Sequence, residues 1–294
     1  MQRVNVLGTA VFLAGVSLYA IPAHAQTEVG VDLDLFSSYV WRGLSLTNKP
    51  VLEPGVWVAI PAGNASITLG GWANIDLGGY DDLADDIAEG GGTSFNLSEF
   101  DPYAEVSFPV GKATITGGVT GYIYPNDADA PNDFGLLTSD ANTVEVYGKL
   151  GYDAPLSPEL SIYYDVDKIK GAYIEGGVSY SLAASEKVSI DLGALAGFSA
   201  GQECDGDYAL DTCANSFNFA DNGFTHLDLS AGVPFTAGVF SITPVLHLLI
   251  NGDDATKVTS PSEFDKDVKL WGGVSLSWSR ALGAEPEATD EAKP

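Results

Sequence analysis

From Val29 onward, apolar side chains recur at every second position and not at every third or fourth. Val29, Val31, Leu33 and Leu35 alternate with Gly30, Asp32 and Asp34. Val188, Ile190, Leu192, Ala194 and Ala196 make a second such row, and Phe240, Ile242, Pro244, Leu246, Leu248 and Ile250 a third. Period two is the mark of a strand whose two faces meet different media. Followed along the chain, it predicts strands at 29–41, 52–61, 65–78, 97–109, 113–124, 143–153, 160–168, 171–183, 187–199, 223–234, 239–250 and 268–279, twelve in all.

The connections between these strands alternate in length. Residues 62–64, 110–112, 154–159, 184–186 and 235–238 are short turns. Residues 42–51, 79–96, 125–142, 200–222 and 251–267 are longer and polar, with one short exception at Ile169-Lys170. Short turns on one rim and long loops on the other are the pattern of an outer-membrane barrel, with both termini on the periplasmic side. The predicted fold is therefore all-β, a twelve-stranded antiparallel up-and-down transmembrane barrel over residues 26–280. An exported β-sandwich would also alternate, but it has no need for the alternation of loop length. Tyr39, Trp41, Tyr122, Tyr124, Tyr163, Tyr164, Tyr180, Phe198, Trp271 and Trp278 fall toward strand ends, where two interfacial girdles are expected.

Charge sharpens this picture. The chain carries 40 acidic and 13 basic residues, a net charge of −27, which excludes a nucleic-acid binder. Such acidity usually accompanies disorder, yet 45% of the residues are hydrophobic. Acidic and apolar side chains must then be segregated, as period two allows.

Residues 1–25 have the form of a secretory leader: Arg3 begins it, an apolar run to Ile21 follows, and Ala23-His24-Ala25 supplies a cleavage site. An exported chain fits Cys204 and Cys213, which flank eight residues of a polar segment and are expected to form a local disulfide. Residues 281–294 read as a disordered acidic tail.

Ser38-Tyr39-Val40-Trp41-Arg42-Gly43-Leu44-Ser45 is similar to the S-x-Y-x-(F/W)-R-G-x-S signature of the TorF-type porin family of bacterial outer membranes. Gly70–Asp76, Glu99–Tyr103, Gly121–Pro125, Glu145–Tyr147 and Gly176–Tyr180 resemble that family's later blocks. The resemblance implies a porin-like role and a bacterial outer-membrane location, without a substrate. Outer-membrane barrels commonly end in an aromatic that the assembly machinery reads, a part Trp278 could take here, although the chain continues beyond it.

With the apolar rows toward lipid, parity turns Asp32, Asp34, Asp76, Glu105, Glu145, Asp165, Asp167, Glu175, Asp191 and Asp228 inward, against Arg42, Lys149 and Lys269. Rings of one charge favour counter-ions, so a weak cation preference is expected. Arg42 is expected to pair with an inward acid such as Glu53 across the first hairpin, its alternative being an anionic solute. His226 and His247 fall almost opposite each other in the predicted strands, with Asp228 on the same face, which makes a weak metal candidate. The bland alternative is a polar pair lining the lumen. Two acidic segments, Asn126–Asp133 and Asp205–Asp211, could bind calcium but lack EF-hand spacing.

No cofactor is called for, and no serine hydrolase motif accompanies His226, for which Ser230 and Ser241 are the conceivable neighbours. The expected function is passive diffusion of small hydrophilic solutes through a channel, set in outer-membrane lipid. Its alternatives are a non-conducting barrel with acidic surface loops or, less favoured, a barrel enzyme.

Overall fold

The computed structural model describes residues 26–78, 95–125, 142–185, 188–204, 213, 217–257 and 267–282. The leader, most of the tail and both acidic calcium candidates lie outside the described residues. In chain order the strands are β1 (Glu28–Phe36), β2 (Tyr39–Trp41), β3 (Leu44–Thr47), β4 (Val51–Ala62), β5 (Ala65–Asp76), β6 (Asn96–Val110), β7 (Ala113–Tyr122) and β8 (Thr143–Tyr152). They continue with β9 (Glu159–Asp165), β10 (Ala172–Ala183), β11 (Ser189–Ala200), β12 (Gly223–Gly232), β13 (Phe235–Ala237), β14 (Phe240–Asn251) and β15 (Val268–Ala281).

All but β2 and β3 belong to one antiparallel sheet, in which sequence neighbours pair and β1 also pairs with β15, closing the ring. β12 and β13 both pair with β14 and form a single wall position, interrupted at Val233-Pro234. The result is a closed barrel of twelve strands. Closure is what lipid requires, because a sheet edge in hydrocarbon would leave backbone groups without partners.

The outer face is apolar. Val31, Leu33, Leu35, Leu69, Val119, Val146, Ile162, Val178, Leu192, Leu246 and Val274 are all exposed, while polar neighbours one residue away turn inward. An apolar belt around a polar interior is the architecture of bacterial outer-membrane barrels, and the protein lies in that membrane. Tight turns at Gly63-Asn64, Gly111-Lys112 and Gly238-Val239 crowd one rim, where each glycine takes a positive φ.

Two expectations change. The first predicted strand, 29–41, is two objects: β1 ends at Phe36, and β2 and β3 form a separate hairpin with no wall partner. Ser38 to Thr47 are all buried, so the hairpin folds inside the barrel. The expected girdle also splits. Tyr164, Tyr180 and Phe198 are exposed on the outside, whereas Tyr39, Trp41, Tyr122, Tyr124, Tyr163 and Trp271 are buried. An aromatic near a strand end serves either a membrane interface or a crowded lumen; parity together with neighbouring carboxylates decides which.

Inside, close packing shapes the glycines. Trp57 lies across Gly30 of the neighbouring strand, 2.2 Å from where a Cβ would stand, and its Nε1 donates to Asp32 at 3.1 Å. The outward face makes a simpler demand, to stay apolar. Val178→Arg, near the middle of β10, is expected to destabilise the barrel by about 2–4 kcal/mol, read from denaturant unfolding in phospholipid vesicles.

Candidate functional site

The hairpin occupies the lumen because of its turn. Trp41 pairs with Leu44, leaving Arg42 and Gly43 as a two-residue loop with φ of 51° and 85°. Both values are positive, as the primed turns of tight hairpins require. Glycine adopts this freely, but arginine does not, so the surroundings of Arg42 must hold it there.

They do so through a buried ion pair. Arg42 Nη1 and Nη2 donate to Glu145 Oε1 and Oε2 at 2.7 and 2.6 Å, a fork on a carboxylate from β8. Tyr122 of β7 donates its hydroxyl to the same carboxylate at 2.7 Å. The guanidinium carbon lies 4.3, 4.6 and 4.5 Å from the ring centres of Trp41, Tyr163 and Tyr173. Burial by itself would lower the Arg42 pKa; the facing Glu145 charge reverses this, and the net shift is upward. The expected partner Glu53 does not fill this role. It is fully buried on β4, directly opposite Asp34, and its carboxylate has no hydrogen-bond partner among the described residues.

The rest of the hairpin is fastened around the wall. Tyr39 donates to Glu99 of β6 at 2.7 Å, and its phenol pKa is pushed up by burial and then by the charges of Glu99 and Asp101. Lys269 of β15 donates to Ser38 Oγ at 2.6 Å and also to Ser45 Oγ. Gly43 packs against His226 of β12 so closely that a Cβ would lie 2.6 Å from its ring. Of the signature-like residues, Ser38, Ser45 and Arg42 thus carry the polar anchors, Tyr39 and Trp41 the ring contacts, and Gly43 the turn.

Loops close over the hairpin from the long-loop rim. Cys204 and Cys213 are joined as a disulfide in the segment between β11 and β12. Phe217 of that segment lies against Trp41 and Tyr124, and Phe219 stacks on Tyr173. Asp253 accepts the backbone N–H groups of Ala220, Asp221 and Ala255, tying this segment to the short helix α1 (Asp254–Lys257).

The other carboxylates expected inside have distinct surroundings. Glu105 and Glu175 accept tyrosine hydroxyls from Tyr147 and Tyr163 at 3.0 and 2.9 Å. Asp76 accepts from Asn74 at 3.0 Å, Asp34 is half-buried opposite Ser275, and Asp191 is buried on β11. Lys149 is buried with its ammonium 4.9 Å from the Tyr147 ring. Asp165 differs in role: it accepts the Asp167 and Ile169 backbone N–H groups at 3.0 Å and so shapes the short β9–β10 turn. Asp167 is exposed in that turn, because β9 ends at Asp165. Glu99 and Asp101 are buried acids that sequence parity did not single out.

The two histidines do not share a position. The register sets His247 opposite Ser230 and His226 opposite Asn251, an offset of four residues, or about 13 Å along a strand. His226 bonds Thr225, while His247 bonds Asp228 at 3.0 Å and stacks on Trp271. Among the described residues no three His, Cys, Asp or Glu side chains converge as a metal site. Ser230 therefore faces His247 and not His226, and Ser241 lies opposite Ser277 on the next strand.

A cavity of about 30 Å³ remains beside the guanidinium, lined by Arg42, Tyr163, Glu175, His226, Asp228 and Trp271 among others. That is room for about two water molecules.

The family described as "Bacterial protein of unknown function (Gcw_chp)" matches residues 20–226. The chain belongs to this family. The matched span contains the hairpin together with Glu145, Tyr163 and Tyr173 of the wall. No curated protein sequence matches the chain. An outer membrane channel from Pseudomonas putida F1 is similar in structure, with a TM-score of 0.48 and 10% identity, covering 87% of this chain and 96% of that one. The NanC porin gives a TM-score of 0.45 at 10% identity, covering 85% and 98%. The CymD monoaromatic hydrocarbon channel gives 0.44 at 10%, covering 88% and 89%.

Removing one partner of a buried pair leaves the other charge uncompensated. Arg42→Met and Glu145→Gln are each expected to cost about 3–5 kcal/mol. The double variant should cost clearly less than the two single losses combined. Denaturant unfolding of all four proteins in vesicles measures the cycle.

Proposed function

We propose that the protein is a porin-like channel of the TorF type, passing small hydrophilic solutes by passive diffusion with a weak preference for cations. The observation that carries this reading is the interior wall. Asp32, Asp34, Glu53, Asp76, Glu99, Asp101, Glu105, Glu175 and Asp228 line it, while among the described residues the interior bases are Lys149 and Lys269 on the wall and Arg42 on the hairpin. A water-filled path along such a wall would concentrate cations and repel anions. The protein's part in this is transport down a gradient, with no bond made or broken.

The hairpin determines the resting state on this reading. It lies across the lumen from β6 to β15, so conduction requires it to shift. The ten consecutive buried residues Ser38 to Thr47 also favour a second reading, a non-conducting barrel that keeps a permanent plug.

Planar bilayers under a KCl gradient separate the two. Replacing 39–47 by a Gly-Ser linker should raise conductance, with a cation-side reversal potential that moves toward zero in the Glu105→Gln/Glu175→Gln background. An anion-side potential refutes the cation preference. Conductance that appears only with the hairpin removed, and never in the intact protein, favours the permanent plug.

A further inference from the structure

Arg42 is bound as a ligand would be. Two guanidinium nitrogens meet two oxygens of one carboxylate, and Tyr163 and Tyr173 present ring faces to its plane. Glu145, Tyr122, Tyr163 and Tyr173 stand on the four consecutive wall strands β7 to β10, whose backbone pairing does not involve the hairpin. Tyr122 holds the same carboxylate by a hydrogen bond of its own. Glu175 adds a second negative group beside the same cavity.

We propose that this wall site is a receptor for solutes bearing a guanidinium group, which Arg42 occupies as a tethered internal ligand until such a solute displaces it. The chemistry selects guanidinium over ammonium: only a planar fork satisfies both oxygens of Glu145 while lying flat against ring faces. Displacement is assisted because Arg42 sits at a positive φ that arginine adopts at a cost, and withdrawal of the hairpin relieves it. A short flexible tether competes with an effective concentration on the order of millimolar, which sets the lowest level at which free solute exchanges with Arg42. The binding step stands by itself; its coupling to opening rests on the channel reading above.

Arg42→Gly is the informative variant, since glycine keeps the turn and empties the niche. The full-length barrel is titrated in detergent with ethylguanidinium and, separately, ethylammonium, by calorimetry and tryptophan fluorescence. R42G is expected to bind ethylguanidinium saturably, at least about tenfold tighter than ethylammonium. Wild type should bind it at least about tenfold more weakly than R42G because the tether competes. R42G/E145Q should not bind. Heat-modifiable gel migration checks that each variant is folded.

Folded R42G that fails to bind, that binds both cations equally, or that keeps its affinity without Glu145 overturns the proposal. If R42G does not fold, wild type carried to higher concentration makes the same comparison. There, a preference for ethylguanidinium that Glu145→Gln abolishes supports the site, and its absence overturns it. In bilayers, millimolar ethylguanidinium should raise wild-type conductance. Binding without any conductance leaves the receptor standing and overturns the channel reading.

Discussion

A sheet in a lipid bilayer can have no free edge, and the rest of this molecule follows from that constraint. β1 must find β15, and once it does each strand has one face toward hydrocarbon and one toward an enclosed space. Leucine, valine and isoleucine take the first face; the strongly acidic residues have only the second, or the rims, to go to. The interior is thereby crowded with carboxylates that lie too close together to be left without compensation.

The chain meets this crowding in two ways. Tyrosines donate hydroxyls to Glu99, Glu105, Glu145 and Glu175, hydrogen bonds that lower the cost of a buried charge without cancelling it. The charge on Glu145 is cancelled by the hairpin, which carries Arg42 across the lumen on a two-residue turn. The same insertion fills the lumen, so compensating the charge and occupying the interior are one structural event. Phe217, from the segment that follows the disulfide, then packs on Trp41 of the hairpin, and Asp253 ties that segment to α1.

Much of the architecture was legible along the chain. Alternation located the wall strands to within a few residues, and the unequal loops told one rim from the other. The hairpin was not legible as such. Tyr39 and Trp41 keep the apolar parity of β1 with only Ser37 intervening, and Arg-Gly is a weaker turn signal than Asn-Gly or Asp-Gly. Parity placed Glu145 and Arg42 on the interior side, but 103 residues separate them, and no local pattern couples them. Asp165 and Asp167 share a parity, yet the strand stops between them and sends the second into solvent.

The sequence by itself determined which side chains are lipid-facing, because a residue's face depends only on its own strand's period and on its own polarity. Tertiary structure alone decided what the interior residues do. That depends on register between strands, which moved His226 four residues from His247's level, and on closure, which brings β1 and β15 together and lets a segment that follows β1 reach β8 through the middle. Those distances are set by the whole ring at once, and no single strand carries them.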